Sequence, residues 1–409
     1  MLIALLCEFT LRNYRSYRDE AKLSMRATPM REFERSLIEC HDGQRFLSVA
    51  AVFGPNAGGK SNLLEALDYV RTTVAWPIWQ LSTRANAPKG QRSSTARCSA
   101  FEFDDVSAAE PTEFELYYRA GEHEYRYTLS VHADEIVSEG LWRRKLGASR
   151  TATLFEREGV KVKLGPMLRK YATPAKFNSG LPYLSFLYIN FKAPVVKEAA
   201  SWFLDEVFLN FNNSSLEQSL EQMLDEDDSQ EVTRFLRAVD VPISGFRVEK
   251  DTERRGQRVF VKHDIDGRDY ELRLSEESAG TQKLIGLAAF LLSALKRGGT
   301  VVVDELDAKL HPKLLRYVIL LFKDSEVNKN GAQLIFTSHD VSAMRNDVFR
   351  RDEIWFAARG EGEGSQLWSL ADIHEANGNL VSKNAAFDKQ YLSGRYGADP
   401  YLTRFEKWD

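Results

Sequence analysis

A glycine-rich octapeptide, GPNAGGKS at residues 54–61, constrains this chain more than any other feature. An apolar run at residues 46–53 precedes it, and apolar residues spaced three to four apart follow it. That order predicts a buried strand, a loop and then a helix. Glycines in such a loop let backbone N–H groups converge on a phosphate, and the N-terminus of the helix adds partial positive charge. The octapeptide therefore predicts a phosphate-binding loop in an α/β fold.

The polar residues of this phosphate loop have distinct expected roles. Lys60 is expected to reach the β- and γ-phosphates of ATP, and Ser61 to bind Mg²⁺. The predicted ATP contacts in and just after the loop are Gly54, Pro55, Asn56, Ala57, Gly58, Gly59, Lys60, Ser61 and Asn62.

Two carboxylates end a second apolar run, TVVVDE at residues 300–305. The run predicts a buried strand with Asp304 and Glu305 at its end. Asp304 is expected to hold Mg²⁺ through water, and Glu305 to act as the catalytic base that polarises the attacking water. The pattern is common by itself, but together with a phosphate loop it indicates an ATP-hydrolysing site.

A third segment, ESAGTQ at residues 277–282, precedes an apolar helix. Ser278 occupies the position of a helix N-cap, where its hydroxyl and the free backbone N–H groups could meet an anion. A simple helix cap would also explain this serine. On local grounds both readings stay open.

The motifs occur in a definite order: the phosphate loop, ESAGTQ, then DELD, and finally TSHD at residues 337–340. This order resembles the ABC/SMC/RecF superfamily, and in detail the compact ATPases of the OLD and RloA-like group found in bacterial phage-defence systems. The segments FTLRNYRSY at residues 9–17 and YLSGRYGA at residues 391–398 are similar to segments of that group. The resemblance implies an ABC-type ATPase head that pairs with a second head around ATP.

Several residue roles follow from the resemblance alone. Ser278, Gly280 and Thr281 would contact the γ-phosphate held by the other protomer, as the signature of the family does. Asp307 would lie at the dimer seam, and His339 would be the catalytic switch that senses the γ-phosphate.

The opening segment and the departures from the family pattern add further expectations. Arg15 and Ser16 would approach the nucleotide phosphates. Gly58 stands where the family usually has a serine or another small polar residue, and SAGT replaces the usual SGGQ of the signature. The glutamine that usually joins the metal shell has no clear counterpart, and Gln91 is the candidate.

The periodicity along the chain predicts its organisation. Residues 98–165 alternate with period two and predict an antiparallel meander, whereas residues 195–240 predict helices with Trp202, Phe203, Val207 and Phe208 on one apolar face. A hairpin turning at Asp266-Gly267 and alternating helices and strands follow.

The predicted fold is therefore an α/β ATPase head with a mixed β-sheet, an antiparallel β subdomain and an inserted helical lobe. Its expected parts are residues 1–165, 166–245 and 246–409. About 220 residues separate the phosphate loop from the signature and they contain no heptads, so no long coiled coil is expected.

Composition narrows the functional classes. The formal net charge of −4 argues against a chain coated in positive charge, and the short basic clusters at residues 143–145 and 254–258 are typical of solvated loops. Three scattered cysteines predict neither disulfides nor a zinc site. No signal peptide or membrane-spanning run is evident, so a cytoplasmic location without membrane contact is expected.

These features lead to a first hypothesis with rivals. The chain would be the ATPase subunit of a phage-defence or toxin-like system, a homodimer or higher oligomer that controls a separately encoded effector such as a nuclease. About 70 residues follow His339, without a second carboxylate cluster of the Toprim kind, which places the effector chemistry on another chain. A RecF-like repair ATPase that binds duplex DNA is the alternative, and a transporter ATPase is the third reading.

Overall fold

Two large β-sheets and the helices packed on them make up most of the computed structural model. The structure describes residues 4–82, 98–172, 178–205, 207–210, 226–251, 256–308, 310–360, 364–375 and 378–398. The helices in chain order are α1 (Lys60–Ser82), α2 (Asp105–Ala109), α3 (Tyr183–Asn190), α4 (Pro194–Asp205), α5 (Glu226–Ala238), α6 (Ala279–Arg297), α7 (Pro312–Lys323) and α8 (Phe387–Leu392).

The strands follow the same numbering. They are β1 (Leu5–Arg12), β2 (Ala21–Ser24), β3 (Ile38–Glu39), β4 (Arg45–Phe46), β5 (Val49–Phe53), β6 (Thr112–Ala120), β7 (His123–His132), β8 (Glu135–Lys145), β9 (Thr151–Glu158), β10 (Lys161–Leu164), β11 (Val207–Asn210), β12 (Gly245–Asp251), β13 (Gly256–Ile265), β14 (Arg268–Arg273), β15 (Gly299–Asp304), β16 (Ala332–Thr337), β17 (Ile354–Arg359) and β18 (Ser365–Ser369).

The six-stranded sheet carries the phosphate loop. Its order is β11-β15-β16-β5-β17-β18, and every neighbouring pair is parallel except β17 and β18. Alternate residues of β5 enter different hydrophobic cores: Val49 and Ala51 pack in one, and Ala50 and Val52 in the other. The alternating helices and strands predicted after the hairpin are present, and their strands belong to this sheet, which is buried on both faces.

The seven-stranded sheet is antiparallel, in the order β10-β9-β8-β7-β6-β1-β2. The meander predicted over residues 98–165 is present as β6 to β10. In the opening segment, β1 ends at Arg12 and the chain then turns. Asn13 and Arg15 have φ values of 54° and 49° in that turn, and Tyr14 and Tyr17 pair across it. The turn brings the start of the chain toward the phosphate loop.

The helical prediction for residues 195–240 is wrong at Val207 and Phe208. They belong to β11, which pairs in parallel with β15 so that Val207 lies opposite Val301. The run VFLN has consecutive apolar residues that fit a strand as well as a helix, and pairing with the edge of the central sheet decides between them. Helices α4 and α5 flank this strand.

Gln333 joins the two large sheets. Its side chain is fully buried, accepts a hydrogen bond from Leu6 N at 2.8 Å, and donates to the carbonyl oxygens of Leu6 and Leu47 at 3.1 and 3.2 Å. Because Leu6 lies in β1 and Gln333 in β16, this amide fixes one sheet on the other. The start of the chain is thereby held in place relative to the parallel sheet.

A three-stranded sheet, β12-β13-β14, leads into α6. The predicted hairpin turn is present, with φ values of 53° at Asp266 and 77° at Gly267. Strand β14 ends at Arg273, five residues before Ser278. Among the helices in the described ranges, none combines the length and the apolar character required to span a bilayer.

Candidate nucleotide site

Close backbone contacts shape the phosphate loop between β5 and α1. A Cβ on Gly54 would lie 2.0 Å from the carbonyl oxygen of Ala357, and a Cβ on Gly58 would lie 2.4 Å from the same atom. Gly59 has a φ of 102°, and a Cβ there would lie 2.5 Å from Ser365 Oγ. The glycines therefore let the end of β17 pack directly against the loop. This contact also gives a reason for glycine rather than serine at position 58.

Lys60 starts α1 and is largely buried beneath the loop, with 6% of its surface exposed. Its Nζ donates hydrogen bonds to the carbonyl oxygens of Gly54 at 2.8 Å and Pro55 at 2.9 Å. Burial lowers the pKa of the ammonium, while the carboxylates of Asp304 and Glu305 oppose that effect. The amine thus lies among loop carbonyls and the carboxylates that follow β15.

Thr337 orders those carboxylates. Its Oγ1 donates to Asp304 Oδ1 at 2.5 Å and accepts from Glu305 N at 2.7 Å. Glu305 has a φ of 49°, in the left-handed region that non-glycine residues seldom adopt. The turn directs Glu305 away from the line of β15. The Asp304 carboxylate therefore bonds to Thr337 on the neighbouring strand, whereas Glu305 lines the cavity.

Asp307 and His339 lie together beside Glu305. Both carboxylate oxygens of Asp307 accept from His339 N at 3.3 Å. The imidazole Nε2 of His339 lies 3.9 Å from Glu305 Oε1. The predicted seam residue is thus bonded to the backbone of the predicted switch histidine.

The turn after β1 meets the first turn of α1. Asn62 Nδ2 donates to Ser16 Oγ at 2.7 Å, and Tyr17 OH donates to Gly59 O at 3.2 Å. Arg15 forms an ion pair with Glu65, one turn further along α1. The sequence placed Arg15 and Ser16 near the nucleotide, and the structure places both beside the loop.

One cavity of about 610 Å³ brings most predicted residues together. It lies at the carboxyl ends of parallel strands β15, β16, β5 and β17, where open α/β sheets generally bind ligands. The predicted residues lining it are Arg15, Ser16, Asn56, Ala57, Gly58, Gly59, Lys60, Ser61, Asn62, Glu305 and His339.

The other predicted site residues that the structure describes do not line this cavity. Gly54 and Pro55 contact Lys60 from beneath the loop, while Asp304 bonds to Thr337. Gln91 lies outside the described residues. In the described part of the chain, Ser278, Gly280, Thr281 and Asp307 are not among the residues that line the cavity.

Ser278 is the N-cap of α6. Its Oγ accepts from Thr281 N at 3.1 Å and lies 2.8 Å from Thr281 Oγ1. The serine is exposed, as is the strand β14 that precedes it. The cap expected from the sequence is present, and the hydroxyl is at the surface rather than against its own phosphate loop.

Sequence reasoning missed a second group of cavity residues. Arg359 ends β17, donates from Nε to Ala57 O at 3.3 Å and is exposed. It lies on the opposite side of β5 from Glu305 and His339, so the cavity extends in both directions from the loop. No local motif marks Arg359 in the sequence, because β17 becomes a neighbour of the phosphate loop only in the folded sheet. The other cavity residues that were missed are Ser99, Ala100, Glu102 and Phe103.

The donor set suits Mg²⁺. Ser61 offers a hydroxyl oxygen and Asp304 a carboxylate oxygen, and Mg²⁺ prefers one or two such protein oxygens together with phosphates and water. Within the described ranges, no cluster of three or more histidine, cysteine or carboxylate side chains could form a metal cage. The residues therefore fit a Mg²⁺ ion that is completed by a nucleotide.

Comparison with known proteins identifies the family. The model of the family described as "AAA domain, putative AbiEii toxin, Type IV TA system" matches residues 49–345, which is most of the chain. The chain belongs to this family. The recognised ATPase superfamily of ABC and SMC type is thereby confirmed. No curated protein matches the chain.

Solved structures that match include two SMC heads. The SMC head domain from Thermotoga maritima is 12% identical with a TM-score of 0.41, covering 89% of this chain and 98% of that chain. The SmcHead bound to the C-winged helix domain of ScpA is 13% identical with a TM-score of 0.41, covering 89% of this chain and 97% of that chain. Similarity at this level carries no inference about function.

Proposed function

We propose that this protein binds ATP with Mg²⁺, pairs with a second copy around the nucleotide, hydrolyses it, and controls a separately encoded effector in the bacterial cytoplasm. One observation carries the catalytic part of the proposal: Glu305 and His339 line the same cavity as the phosphate loop. A base, an imidazole that can form hydrogen bonds and a phosphate-binding loop in one cavity suit ATP hydrolysis.

The loop would bind the triphosphate through groups that already converge on it. Lys60 donates to two loop carbonyls, and its ammonium can exchange these acceptors for the more strongly accepting oxygens of the β- and γ-phosphates. The N-terminus of α1 adds its partial positive charge. Arg359 and Arg15 would add cations at the rim of the cavity.

Ser61 and Asp304 would hold Mg²⁺. The ion supplies charge neutralisation of the phosphate oxygens when it is bound. Thr337 holds Asp304 in place for this role through their 2.5 Å hydrogen bond.

Glu305 would activate the attacking water. Its carboxylate accepts a proton from water as the water oxygen attacks the γ-phosphorus, and the bond from that phosphorus to the leaving ADP oxygen breaks. His339, whose Nε2 lies 3.9 Å from Glu305 Oε1, would donate a hydrogen bond to the γ-phosphate or to the attacking water. Asp307 positions the backbone of His339.

Pairing of two copies would complete the site. The exposed Ser278 at the start of α6 offers a hydroxyl and helix N–H groups to an anion, but the described lining of its own cavity does not include it. Ser278, Gly280 and Thr281 would therefore bind the γ-phosphate held by the partner subunit. The family description, which includes a putative toxin of a type IV toxin–antitoxin system, supports a role in a toxin-like system.

Substitution of the base tests this function. Glu305→Gln keeps the shape of the side chain and removes its basicity, so ATP binding should remain within about threefold while hydrolysis slows by about 100-fold or more. The measurements are titration with a fluorescent ATP analogue and steady-state phosphate release. Glu326→Gln, at an exposed carboxylate after α7, is the matched control and should behave as wild type. Wild-type hydrolysis by Glu305→Gln would refute the assignment of the base.

A further inference from the structure

A buried lysine connects the signature helix to the loop of the catalytic base. Lys283 lies in the second turn of α6, five residues beyond Ser278, with 6% of its surface exposed. Its Nζ donates to the carbonyl oxygen of Glu305 at 3.1 Å and to that of Ala308 at 2.5 Å. The two acceptor residues precede and follow Leu306 and Asp307 in the chain. The Lys283 ammonium is thus bonded to both ends of the loop at residues 305–308.

That loop contains a strained residue. Glu305 adopts a φ of 49°, which is strained for a residue with a Cβ and persists where the surroundings hold it. Its N–H donates to Thr337 Oγ1, and its carbonyl oxygen accepts from Lys283. Both sides of the residue are thus fixed, by β16 on one side and by α6 on the other. These two anchors act together with the backbone hydrogen bonds from Ala308 N to Glu305 O at 3.0 Å and from Leu306 N to Thr337 O at 3.1 Å in fixing the loop that carries the Glu305 carboxylate.

Stability alone does not favour a lysine at this position. Taking an ammonium out of water is unfavourable, and its hydrogen bonds in the protein offset only part of that desolvation cost. Methionine has a similar length and would fill the space without this cost, in a helix that is otherwise apolar on its buried face. The hydrogen bonds to the Glu305 and Ala308 carbonyl oxygens are contacts that lysine makes here and methionine could not make.

We infer that Lys283 is a positioning residue for hydrolysis, which holds the Glu305 loop in its catalytic geometry from the helix that carries the signature. The inference rests on the proposed role of Glu305. It also provides a mechanical connection within one protomer. The helix whose first residues face the partner's nucleotide is bonded, through Lys283, to the loop that acts on the protomer's own nucleotide.

Kinetics of Lys283→Met test this inference. A misplaced base costs about 10- to 100-fold in rate, so kcat should fall by that factor, while KM and the affinity for a fluorescent ATP analogue stay within about threefold. Lys313→Met, at an exposed lysine in α7, is the control and should leave both unchanged. Loss of ATP affinity in parallel with kcat, or an unchanged kcat, would overturn the inference.

A double variant separates positioning of Glu305 from a general structural effect. If Lys283 acts through Glu305, Lys283→Met should slow hydrolysis in the wild-type background but not in the Glu305→Gln background, measured as single turnovers. A further tenfold loss in the Glu305→Gln background would overturn the inference. Equal hydrolysis by wild type and Glu305→Gln would instead refute the proposed base. An inactive Glu305→Gln beside a fully active Lys283→Met would refute only the role of Lys283.

Discussion

Lys60 is the side chain that we propose connects the phosphate loop to its ligand. The amine is nearly buried, and two loop carbonyls accept its hydrogen bonds. Burial lowers the pKa of the Lys60 ammonium. A phosphate oxygen would stabilise this cation more strongly than the neutral carbonyl oxygens do. The residue is the one cation supplied by the octapeptide itself.

Removal of this cation should abolish useful ATP binding. Hydrogen bonds to charged groups contribute about 1.5–3 kcal/mol each, so Lys60→Ala should weaken binding by about 100-fold or more. Titration with a fluorescent ATP analogue measures the effect. Lys313→Ala, at an exposed position, is the control. An unchanged dissociation constant for Lys60→Ala would contradict the assignment of the phosphate loop.

The site residues that could be predicted from the sequence are those that belong to a recognisable local motif. Lys60 follows two glycines, and Glu305 follows an apolar run and another acid, so each carries a local signal. Arg359 and Lys283 carry no such signal. Each contacts a segment far away in the chain, Ala57 for Arg359 and Glu305 for Lys283, and only the folded sheet brings these partners together.

At the scale of elements, buried ion pairs join the short hairpin β3–β4 to the antiparallel sheet. Arg119 in β6 donates to both carboxylate oxygens of Asp42, at 3.0 and 2.7 Å, and both side chains are almost completely buried. The guanidinium also stacks over the ring of Phe46. Its hydrogen bonds hold the pKa of Asp42 below its ordinary value of 3.8.

The Asp42 carboxylate should make stability depend on pH. Because its pKa is lowered on folding, its contribution is present above the ordinary value of 3.8 and is lost as the pH falls through the lower folded value. Asp42→Asn should therefore cost about 2 kcal/mol of unfolding free energy at pH 7, and less at pH 3. Urea denaturation at the two pH values measures this. Asp19→Asn, in an exposed pair with Arg18, is the control, and an equal cost for Asp42→Asn at both pH values would contradict the account.

Elements with a clear period were predictable, and elements decided by pairing were not. The meander, the hairpin at Asp266-Gly267 and the helix after Ser278 each have a regular pattern in the sequence. Strand β11 has four residues and owes its form to the edge of β15. The end of β1 at Arg12 depends on a turn with positive φ values at Asn13 and Arg15. Asparagine is compatible with such a turn, but arginine does not indicate one.

At the scale of the whole molecule, the central claim is that the active site is shared between two copies. The phosphate loop, Glu305 and His339 line one cavity, while the helix cap at Ser278 is exposed elsewhere on the surface. Lys60→Ala should remove a protomer's own nucleotide site and leave its signature intact. Ser278→Arg should leave ATP binding intact and block the partner's site through the bulk and charge of the arginine.

Mixing these two variants tests the claim most directly. Each variant alone should lack ATP hydrolysis, because each homodimer carries the same defect in both of its sites. In a mixed dimer, the phosphate loop of the Ser278→Arg chain and the signature of the Lys60→Ala chain form one complete site, so phosphate release should reappear at up to half the wild-type rate per dimer. If the two chains co-assemble on a sizing column and the mixture still releases no phosphate, Ser278 does not act on the partner's nucleotide, and the account of a shared site is wrong.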